Sequence, residues 1–244
     1  MQNTMNTRGD KDAELNKQLV QRIESARKFL AEIALTHSPL TFANSFGAED
    51  MVLTDLICNS APTIEIFSLD TGRLPDETYQ LMQRTMQHYD IKFKVYFPDN
   101  DTVEEYICNH GPNAFYESVE LRKRCCFIRK VQPLQRALQG KKAWVTGLRR
   151  EQSPTRDTLP ISEWDEGNQL QKFNPLTDWT HQDVWNYIRH FGVPYNELHD
   201  KNYPSIGCAP CTRAISIGED IRAGRWWWEN PESKECGLHI KKTG

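Results

Sequence analysis

The sequence predicts an α/β fold, a mostly parallel twisted sheet with helices on both faces, followed by an irregular C-terminal tail. Short apolar runs suited to buried strands alternate with segments whose apolar residues recur every three or four positions. A strand–helix–strand order of this kind is typical of parallel sheets, because their crossover connections are usually helices. With 244 residues, of which 38% are hydrophobic, the chain can form one such domain with a sizeable core.

The predicted strands are short segments in which apolar residues are consecutive or alternate with polar ones. Such segments suit strands that are buried on one or both faces of a sheet. We expect strands at residues 40–45, 63–69, 92–97, 143–146 and 170–173.

The predicted helices are segments with the apolar spacing of an amphipathic helix. Pro75 suits a first helical turn, and Thr180 with Asp183 forms a capping-box pattern that predicts the start of the last helix. Residues 153–167 are polar and contain proline, so we expect a mobile loop there, and regular signals fade after Asn196. The predicted helices cover residues 12–34, 51–57, 75–89, 126–138 and 184–188.

Charge and cysteine usage favour a cytoplasmic enzyme. The formal net charge of −3 argues against a general binder of nucleic acid or of a membrane surface. The polar N-terminus lacks the apolar run of a signal peptide. Seven cysteines, two of them adjacent, disfavour a disulfide framework, so we expect reduced thiols available for metal or redox chemistry.

Two loops that follow predicted strands indicate a nucleotide site. The first lies between a strand and a helix, where backbone N–H groups and a helix N-terminus favour an anion. The second ends the next strand at the same edge of the sheet, where it suits ribose hydroxyls. An ordinary strand–helix turn is the alternative for each loop. The residues concerned are Ser45, Phe46 and Gly47 in the first loop and Asp70, Thr71 and Gly72 in the second.

A basic loop follows the fourth predicted strand. Gly147, Arg149, Arg150 and Arg156 lie in a segment that suits a doubly anionic substrate, since guanidinium groups bind oxyanions with two parallel hydrogen bonds. A solvated charged face is the alternative. Arg222 and Arg225, further along, could clamp the same substrate, and the tryptophans that follow them are expected to pack the tail against the domain.

Four cysteines in two pairs supply the ligand set of one iron–sulfur cluster. Cys125 and Cys126 are adjacent and cannot easily form a disulfide with each other, and Cys208 and Cys211 have a standard metal-binding spacing. Basic residues on both sides of the adjacent pair could offset the charge of a four-thiolate site. A structural zinc and unrelated buried thiols are the alternatives, because the spacing indicates a metal more strongly than it identifies one.

A fifth cysteine, Cys236, is a candidate nucleophile. Lys234 and His239 place positive or proton-accepting groups near it, and Gly237 gives the backbone freedom. A segment near a chain end can move between two partners without unfolding the core. The alternatives are an inert surface thiol and a neighbour of the metal site.

Taken together, the motifs resemble the iron–sulfur branch of the APS/PAPS reductase family, the assimilatory adenylyl-sulfate reductases. They occur in order between about residue 40 and residue 239, so the resemblance covers nearly the whole chain. The matching stretches are residues 45–50, 69–72, 125–126 with 129–130, 147–156, 208–211, 222 with 225–226, and 235–239.

The resemblance implies an adenine nucleotide α-hydrolase-like fold and a thioredoxin-dependent reduction of adenosine 5′-phosphosulfate (APS). The Cys236 thiolate is expected to attack the sulfur of APS, releasing AMP and forming an S-sulfocysteine that thioredoxin then resolves to sulfite. A [4Fe-4S] cluster held by the paired cysteines is not expected to carry electrons. Arg129 is implied in substrate binding, and Lys130 and His239 in catalysis.

The resemblance also implies a division of the chain and a set of alternatives. Residues 1–35 form an N-terminal extension and helix, 36–215 the nucleotide- and cluster-binding domain, and 216–244 the tail with the nucleophile. The nearest alternative is reduction of the 3′-phosphorylated nucleotide (PAPS), and a more distant one is an iron–sulfur ATP-pyrophosphatase acting in tRNA thiolation. A zinc-stabilised interaction module is the non-enzymatic alternative. We expect no nucleic-acid or membrane partner, and the oligomeric state is open.

Overall fold

A six-stranded sheet organises the protein, as seen in a computed structural model that describes residues 15–152 and 158–230. The strand order is β3-β2-β1-β4-β6-β5. β1 pairs with β4, β4 with β6 and β2 with β3, all in parallel, which confirms the predicted fold class. The strands are β1 (Leu40–Ala43), β2 (Glu65–Leu69), β3 (Lys94–Tyr96), β4 (Ala143–Val145), β5 (Ser162–Asp165) and β6 (Leu170–Phe173).

Helices connect most of these strands. A five-residue π-helical segment, Phe127–Val131, lies between the helices Val119–Cys126 and Gln132–Leu138, so the single helix predicted at 126–138 is interrupted and begins seven residues too late. Among the residues described, the α-helices are α1 (Lys17–Thr36), α2 (Ala48–Ser60), α3 (Asp76–Tyr89), α4 (Asn100–His110), α5 (Val119–Cys126), α6 (Gln132–Leu138) and α7 (His181–Phe191).

Local chemistry explains where several helices begin. The side chain of Asn16 accepts a hydrogen bond from the Leu19 N–H, which places the start of α1 later than predicted. Pro75 is the N-cap of α3, one residue before its first turn. Thr180 and Asp183 form the predicted capping box at the start of α7.

Three elements were not predicted, and one of them is α5, of which only Cys126 lies in a predicted helix. The helix α4 was not predicted, because Tyr106 is its only buried residue and its apolar pattern is weak. The strand β5 lies inside the segment predicted as a mobile loop, because its residues alternate between exposed and half-buried and none is fully buried. Residues 153–157 of that segment lie outside the described residues.

The chain divides into two compact units. Of the described residues, the first unit comprises 15–66, 141–152, 158–164 and 171–195, and the second comprises 67–140, 165–170 and 196–230. The first unit contains α1, α2 and α7, of which α2 packs against both others. The second contains a buried cluster in which Cys125, Cys208 and Cys211 lie among aromatic side chains. The predicted divisions near residues 35 and 215 stay predictions.

None of the described helices has the length and apolar character needed to cross a membrane.

Candidate functional site

The predicted phosphate site follows β1 in the first unit. Ser45 is exposed and Gly47 is the N-cap of α2, with no side chain bonded to the first-turn N–H groups. Phe46 is buried and adopts a left-handed conformation (φ 62°), with its N–H donating to Asn44 Oδ1 at 2.6 Å. The N–H groups of Ser45 and Phe46 are bonded to side chains of the turn, so the donors that suit a bound anion are those of the first turn of α2.

Asp50 links this turn to the loop after β4. Its Oδ2 accepts hydrogen bonds from the Ser45 N–H (2.7 Å) and the Ser45 hydroxyl (2.5 Å), and the carboxyl also accepts from the Gly147 N–H. Only glycine fits at position 147, since an added Cβ would overlap Asp50 Oδ1. Burial raises the pKa of Asp50 to about 6, an effect that the hydrogen bonds from Ser45 partly oppose. The parallel pairing of β1 with β4 brings the two loops together at one edge.

The arginines of the basic loop already have partners within the first unit. Arg149 is buried, and its guanidinium donates to Glu49 Oε1 (2.7 Å), to Glu151 Oε2 (2.9 Å) and to the Trp179 carbonyl (3.1 Å). Arg150 is exposed and donates to the Leu159 carbonyl at 2.9 Å. Their predicted substrate role stays a prediction, and Arg156 lies outside the described residues.

The predicted ribose loop follows β2 in the second unit. Asp70 accepts hydrogen bonds from the Gly72 N–H at 2.7 Å and from the Tyr79 hydroxyl at 2.9 Å. Gly72 is exposed with φ 69°, a conformation that glycine adopts without strain. Arg129 is buried and donates to the Thr71 carbonyl at 2.6 Å. The structure therefore brings the predicted substrate residues Arg129 and Thr71 into direct contact.

A cavity in the same unit is lined by all four paired cysteines. The space between its lining atoms is about 310 Å³, including the open mouth. Cys208 donates to the Thr71 hydroxyl at 3.3 Å, so one residue of the cavity lining contacts the ribose loop. The four thiols are those of Cys125, Cys126, Cys208 and Cys211, and the basic side chains around them are Arg73, Arg122, Arg129 and Lys130.

The environment of the cavity fits a metal cofactor with thiolate ligands. Burial, reinforced by the neighbouring Cys208, raises the pKa of the Cys211 thiol to about 12. Burial also raises the pKa of Cys125, whereas the guanidinium of Arg129 lowers it. A metal bound here would displace the thiol protons, and the surrounding cations would offset the negative charge that results. The buried Trp226 indole N–H has no partner among the described residues and could donate to a sulfur of such a group.

A structural zinc and an iron–sulfur cluster place different demands on four cysteine sulfurs. Within residues 15–152 and 158–230 no three His, Cys, Asp or Glu side chains meet in the geometry that holds a single ion. A structural zinc needs four sulfurs about 2.3 Å from one point. A four-iron cluster binds each cysteine through a different iron, so its ligands line a cavity rather than converge. Four cysteine thiols that line one cavity are a donor set that either kind of metal centre can use.

The C-terminal candidates are described only in part. Arg225 is buried, donates to the Ile206 carbonyl at 3.2 Å and lies 4.8 Å from the Trp226 ring. Arg222 is half-buried in the turn that leads to it. The proposed nucleophile Cys236 and its neighbour His239 lie outside the described residues.

Sequence reasoning missed several residues that organise these sites. Asn44 and Asp50 shape the turn after β1, and Arg122 forms a buried ion pair with Glu229. The stretch around Asp50 matches the family motif, but no pattern shows that its carboxylate bonds to the loop at Gly147. Arg122 belongs to a basic run whose role the sequence left open, and burial separates it from its exposed neighbours Lys123 and Arg124.

Comparisons with known proteins relate the chain to one family of enzymes. Residues 39–214 match the family described as phosphoadenosine phosphosulfate reductase domain. The chain is 54% identical to the adenosine 5′-phosphosulfate reductase of Allochromatium vinosum, over 92% of this chain and 88% of that protein. It is also 54% identical to the enzyme of the same name from Burkholderia cepacia, over 93% and 90% of the two chains.

Solved structures show the same fold. A crystal structure of phosphoadenylyl-sulfate (PAPS) reductase from Candida auris has a TM-score of 0.68 and 28% identity, covering 83% of this chain and 98% of that one. The FMN adenylyltransferase of Candida glabrata has a TM-score of 0.60 at 16% identity, covering 96% and 85%, which shows the likeness of the fold alone.

Proposed function

The chain belongs to the phosphoadenosine phosphosulfate reductase family, and from that membership we propose that it reduces APS to sulfite and AMP in sulfate assimilation. One structural observation supports the proposal above the others. The two cysteine pairs, about 80 residues apart in sequence, line one cavity that contacts the ribose loop through Thr71. A cofactor site next to a nucleotide loop suits an enzyme, and the curated relatives that match most of the chain are named for reduction of APS.

The four paired cysteines are the proposed ligands of a [4Fe-4S] cluster. Bound there, the cluster would supply a fixed electrostatic environment for the sulfate and phosphate groups of the substrate. Arg129 and Lys130 would link that environment to the nucleotide, because both line the cavity and Arg129 also contacts Thr71. Lys130 is the proposed catalytic cation beside the reacting sulfate.

The first half of the proposed reaction is a substitution at sulfur. The Cys236 thiolate attacks the sulfur of APS and forms a new S–S bond, and the bond between that sulfur and the bridging oxygen breaks. AMP leaves with the oxygen and the electron pair. His239, three residues from Cys236, is the proposed acceptor of the thiol proton. The N–H groups in the first turn of α2 would hold the phosphate, and the loop at Asp70 would hold the ribose.

The second half returns the enzyme to its starting state. A dithiol reductant, proposed to be thioredoxin, attacks the sulfur of Cys236, and sulfite leaves with the electron pair of the broken S–S bond. The second thiol of the reductant then releases the Cys236 thiolate and closes a disulfide. The two electrons that reduce the sulfur therefore come from the dithiol.

Replacement of the proposed nucleophile tests the mechanism. A Cys236→Ser variant should bind AMP and keep its iron and acid-labile sulfide, yet form no sulfite from APS and reduced thioredoxin, because a serine hydroxyl is a far weaker nucleophile than a thiolate. Cys108, an exposed cysteine of α4, provides the matched control, and Cys108→Ser should keep wild-type sulfite production. Substantial sulfite formation by the Cys236→Ser variant would rule out this nucleophile.

Two alternatives, one for the substrate and one for the metal, can be tested directly. The family description and the Candida auris structure both name PAPS, so competition between APS and PAPS for sulfite production decides the substrate. Iron and acid-labile sulfide in the purified protein support the proposed cluster, whereas stoichiometric zinc would favour a structural metal.

A further inference from the structure

A buried ion pair lies next to the cysteine cavity and to the end of the described chain. Arg122, on α5, donates from Nε to Glu229 Oε1 at 2.8 Å and from Nη2 to Glu229 Oε2 at 2.7 Å. The side chains are 1% and 3% exposed, and the residues are 107 positions apart in sequence. This is the two-bond geometry in which arginine recognises a carboxylate with a defined orientation.

The segment around Glu229 is held at several other points of the second unit. The Trp226 N–H donates to the Cys211 carbonyl at 3.2 Å, and the Glu229 N–H donates to the Trp226 carbonyl at 2.8 Å. The guanidinium of Arg122 lies 4.7 Å from the Trp226 ring. Trp226 also has a left-handed backbone (φ 42°), a strained conformation for a bulky residue that persists only where the surroundings hold it.

The ion pair joins the two chain segments that matter to the proposed reaction. Arg122 is three residues before Cys125 and lines the cysteine cavity, whereas Glu229 is seven residues before Cys236. Seven residues span at most about 25 Å even when fully extended. Fixing Glu229 therefore holds the start of this seven-residue segment beside Arg122, a residue of the cavity lining.

We propose that the Arg122–Glu229 ion pair positions the nucleophile by fixing the point from which the C-terminal segment extends to Cys236. The inference rests on the proposed function, since it assumes that Cys236 attacks the substrate. Arg122 and Glu229 are positioning residues, because they act through the segment that follows them. Restricting a reactive group to a small volume raises its effective concentration at the substrate.

Stability alone does not account for such a pair. Removing two charges from water is costly, and well-packed apolar side chains of similar volume are often as stable or more stable. What a buried arginine–carboxylate pair adds is a defined orientation of the two segments that it joins. This property is useful where one segment carries metal ligands and the other leads to a nucleophile.

The test uses the full-length protein with its metal and three variants. The first variant combines Arg122→Met with Glu229→Leu and replaces the ion pair by apolar residues. The second, Arg122→Lys, keeps the positive charge without the two-bond geometry. The third, Glu229→Gln, alters the partner that does not line the cavity. The matched control is Arg213→Met combined with Glu219→Leu, which removes a half-exposed two-bond pair from the same stretch of chain.

Three readouts separate positioning from folding. The single-turnover rate of S-sulfonation of Cys236 at saturating APS should fall about tenfold or more in all three variants, while the control changes less than about twofold. In Glu229→Gln, which leaves every cation of the cavity in place, the affinity for AMP and the iron content should stay at wild-type values. Trypsin should cleave after Arg225 faster in the three variants than in the wild type, which reports release of the segment.

Each contrary result is decisive. S-sulfonation at the wild-type rate in the variants would overturn the proposal, whether or not trypsin shows the segment to be released. Slow S-sulfonation with a matching loss of AMP affinity or of iron would assign the pair a structural role instead. If wild-type protein forms no adduct on Cys236, the proposed function fails, and this failure is seen without any change to the ion pair.

Discussion

At the scale of single residues, two buried charged side chains organise the sites. Asp50 joins the turn after β1 to the loop after β4, and Arg122 joins α5 to the segment that ends at Glu229. Each is surrounded by protein and hydrogen-bonded at more than one atom, as buried charges in proteins generally are. In both cases the charge determines how two distant stretches of chain meet.

The raised pKa of Asp50 predicts a pH-dependent stability. Its pKa in the folded state is about 6, above the ordinary value of 3.8. Between these two pH values the folded protein therefore keeps a proton on Asp50 that the unfolded chain releases. The Asp50 contribution to the free energy of unfolding is therefore full below about pH 4 and is lost as the pH rises through about 6. The difference is on the order of 2–3 kcal/mol.

Urea denaturation of the wild type and of Asp50→Asn at several pH values measures this contribution. The stability of the wild type relative to the variant should increase as the pH falls from 7 to about 4, because asparagine does not titrate in this range. Two stability curves that run parallel over the same range would contradict the role assigned to burial of this carboxyl.

The role of Arg122 shows why single residues are the hardest scale to predict. The sequence places it in a run of three basic residues, all of which could have offset the charge of a metal site. The structure buries only Arg122 of that run, and its partner Glu229 is 107 residues away. No local pattern reports a contact over that separation, so the pair emerges only from the tertiary structure.

At the scale of elements, the π-helical segment Phe127–Val131 determines where two basic side chains lie. It follows the adjacent cysteines at the end of α5 and contains Arg129 and Lys130, both of which line the cavity. Such wider turns inside helices often occur at functional sites. The sequence predicted a continuous helix here, because the apolar spacing does not report a local change in hydrogen bonding.

Two glycines at strand ends predict contrasting substitution effects. Gly147→Ala should destabilise the protein by about 1–3 kcal/mol and weaken AMP binding, because the added methyl group would overlap Asp50 Oδ1 and force the two loops apart. Gly47→Ala should change stability by less than about 1 kcal/mol yet weaken AMP binding. A Cβ there lies 3.5 Å from Ser45 Oγ, an ordinary contact, so the methyl group would obstruct a bound phosphate rather than the fold.

Urea denaturation and AMP titration of both variants provide the comparison. Full AMP affinity in Gly47→Ala would argue against a phosphate at this turn. Wild-type stability in Gly147→Ala would show that the contact with Asp50 can relax without cost.

Most elements were predictable because their signals are local. The strands from β1 to β4 and β6 are short and apolar, and the capping box at Thr180 places the start of α7 correctly. The helices and strands that sequence reasoning missed, α4, β5 and most of α5, bury few residues, so their apolar patterns are faint. Elements that bury little leave little trace in the sequence.

At the scale of the whole molecule, the chain brings together cysteines that are far apart in sequence. The pair at the end of α5 and the pair at the 3-10 turn Ala209–Cys211 line the same cavity, and their role as metal ligands stays a prediction. The number and grouping of the cysteines were visible in the sequence, but the hydrogen bond from Cys208 to the Thr71 hydroxyl was not. The family match and the parallel sheet agree with this arrangement.

The central claim is a division of labour in which four cysteines hold a cofactor and the fifth forms a bond to the substrate. Peptide mass spectrometry of the protein mixed with APS, before any reductant is added, tests it most directly. The account predicts one sulfonate group on Cys236, removed by reduced thioredoxin, with the other cysteines unmodified. A sulfonate on a different cysteine, or no adduct in protein that nevertheless makes sulfite, would contradict it.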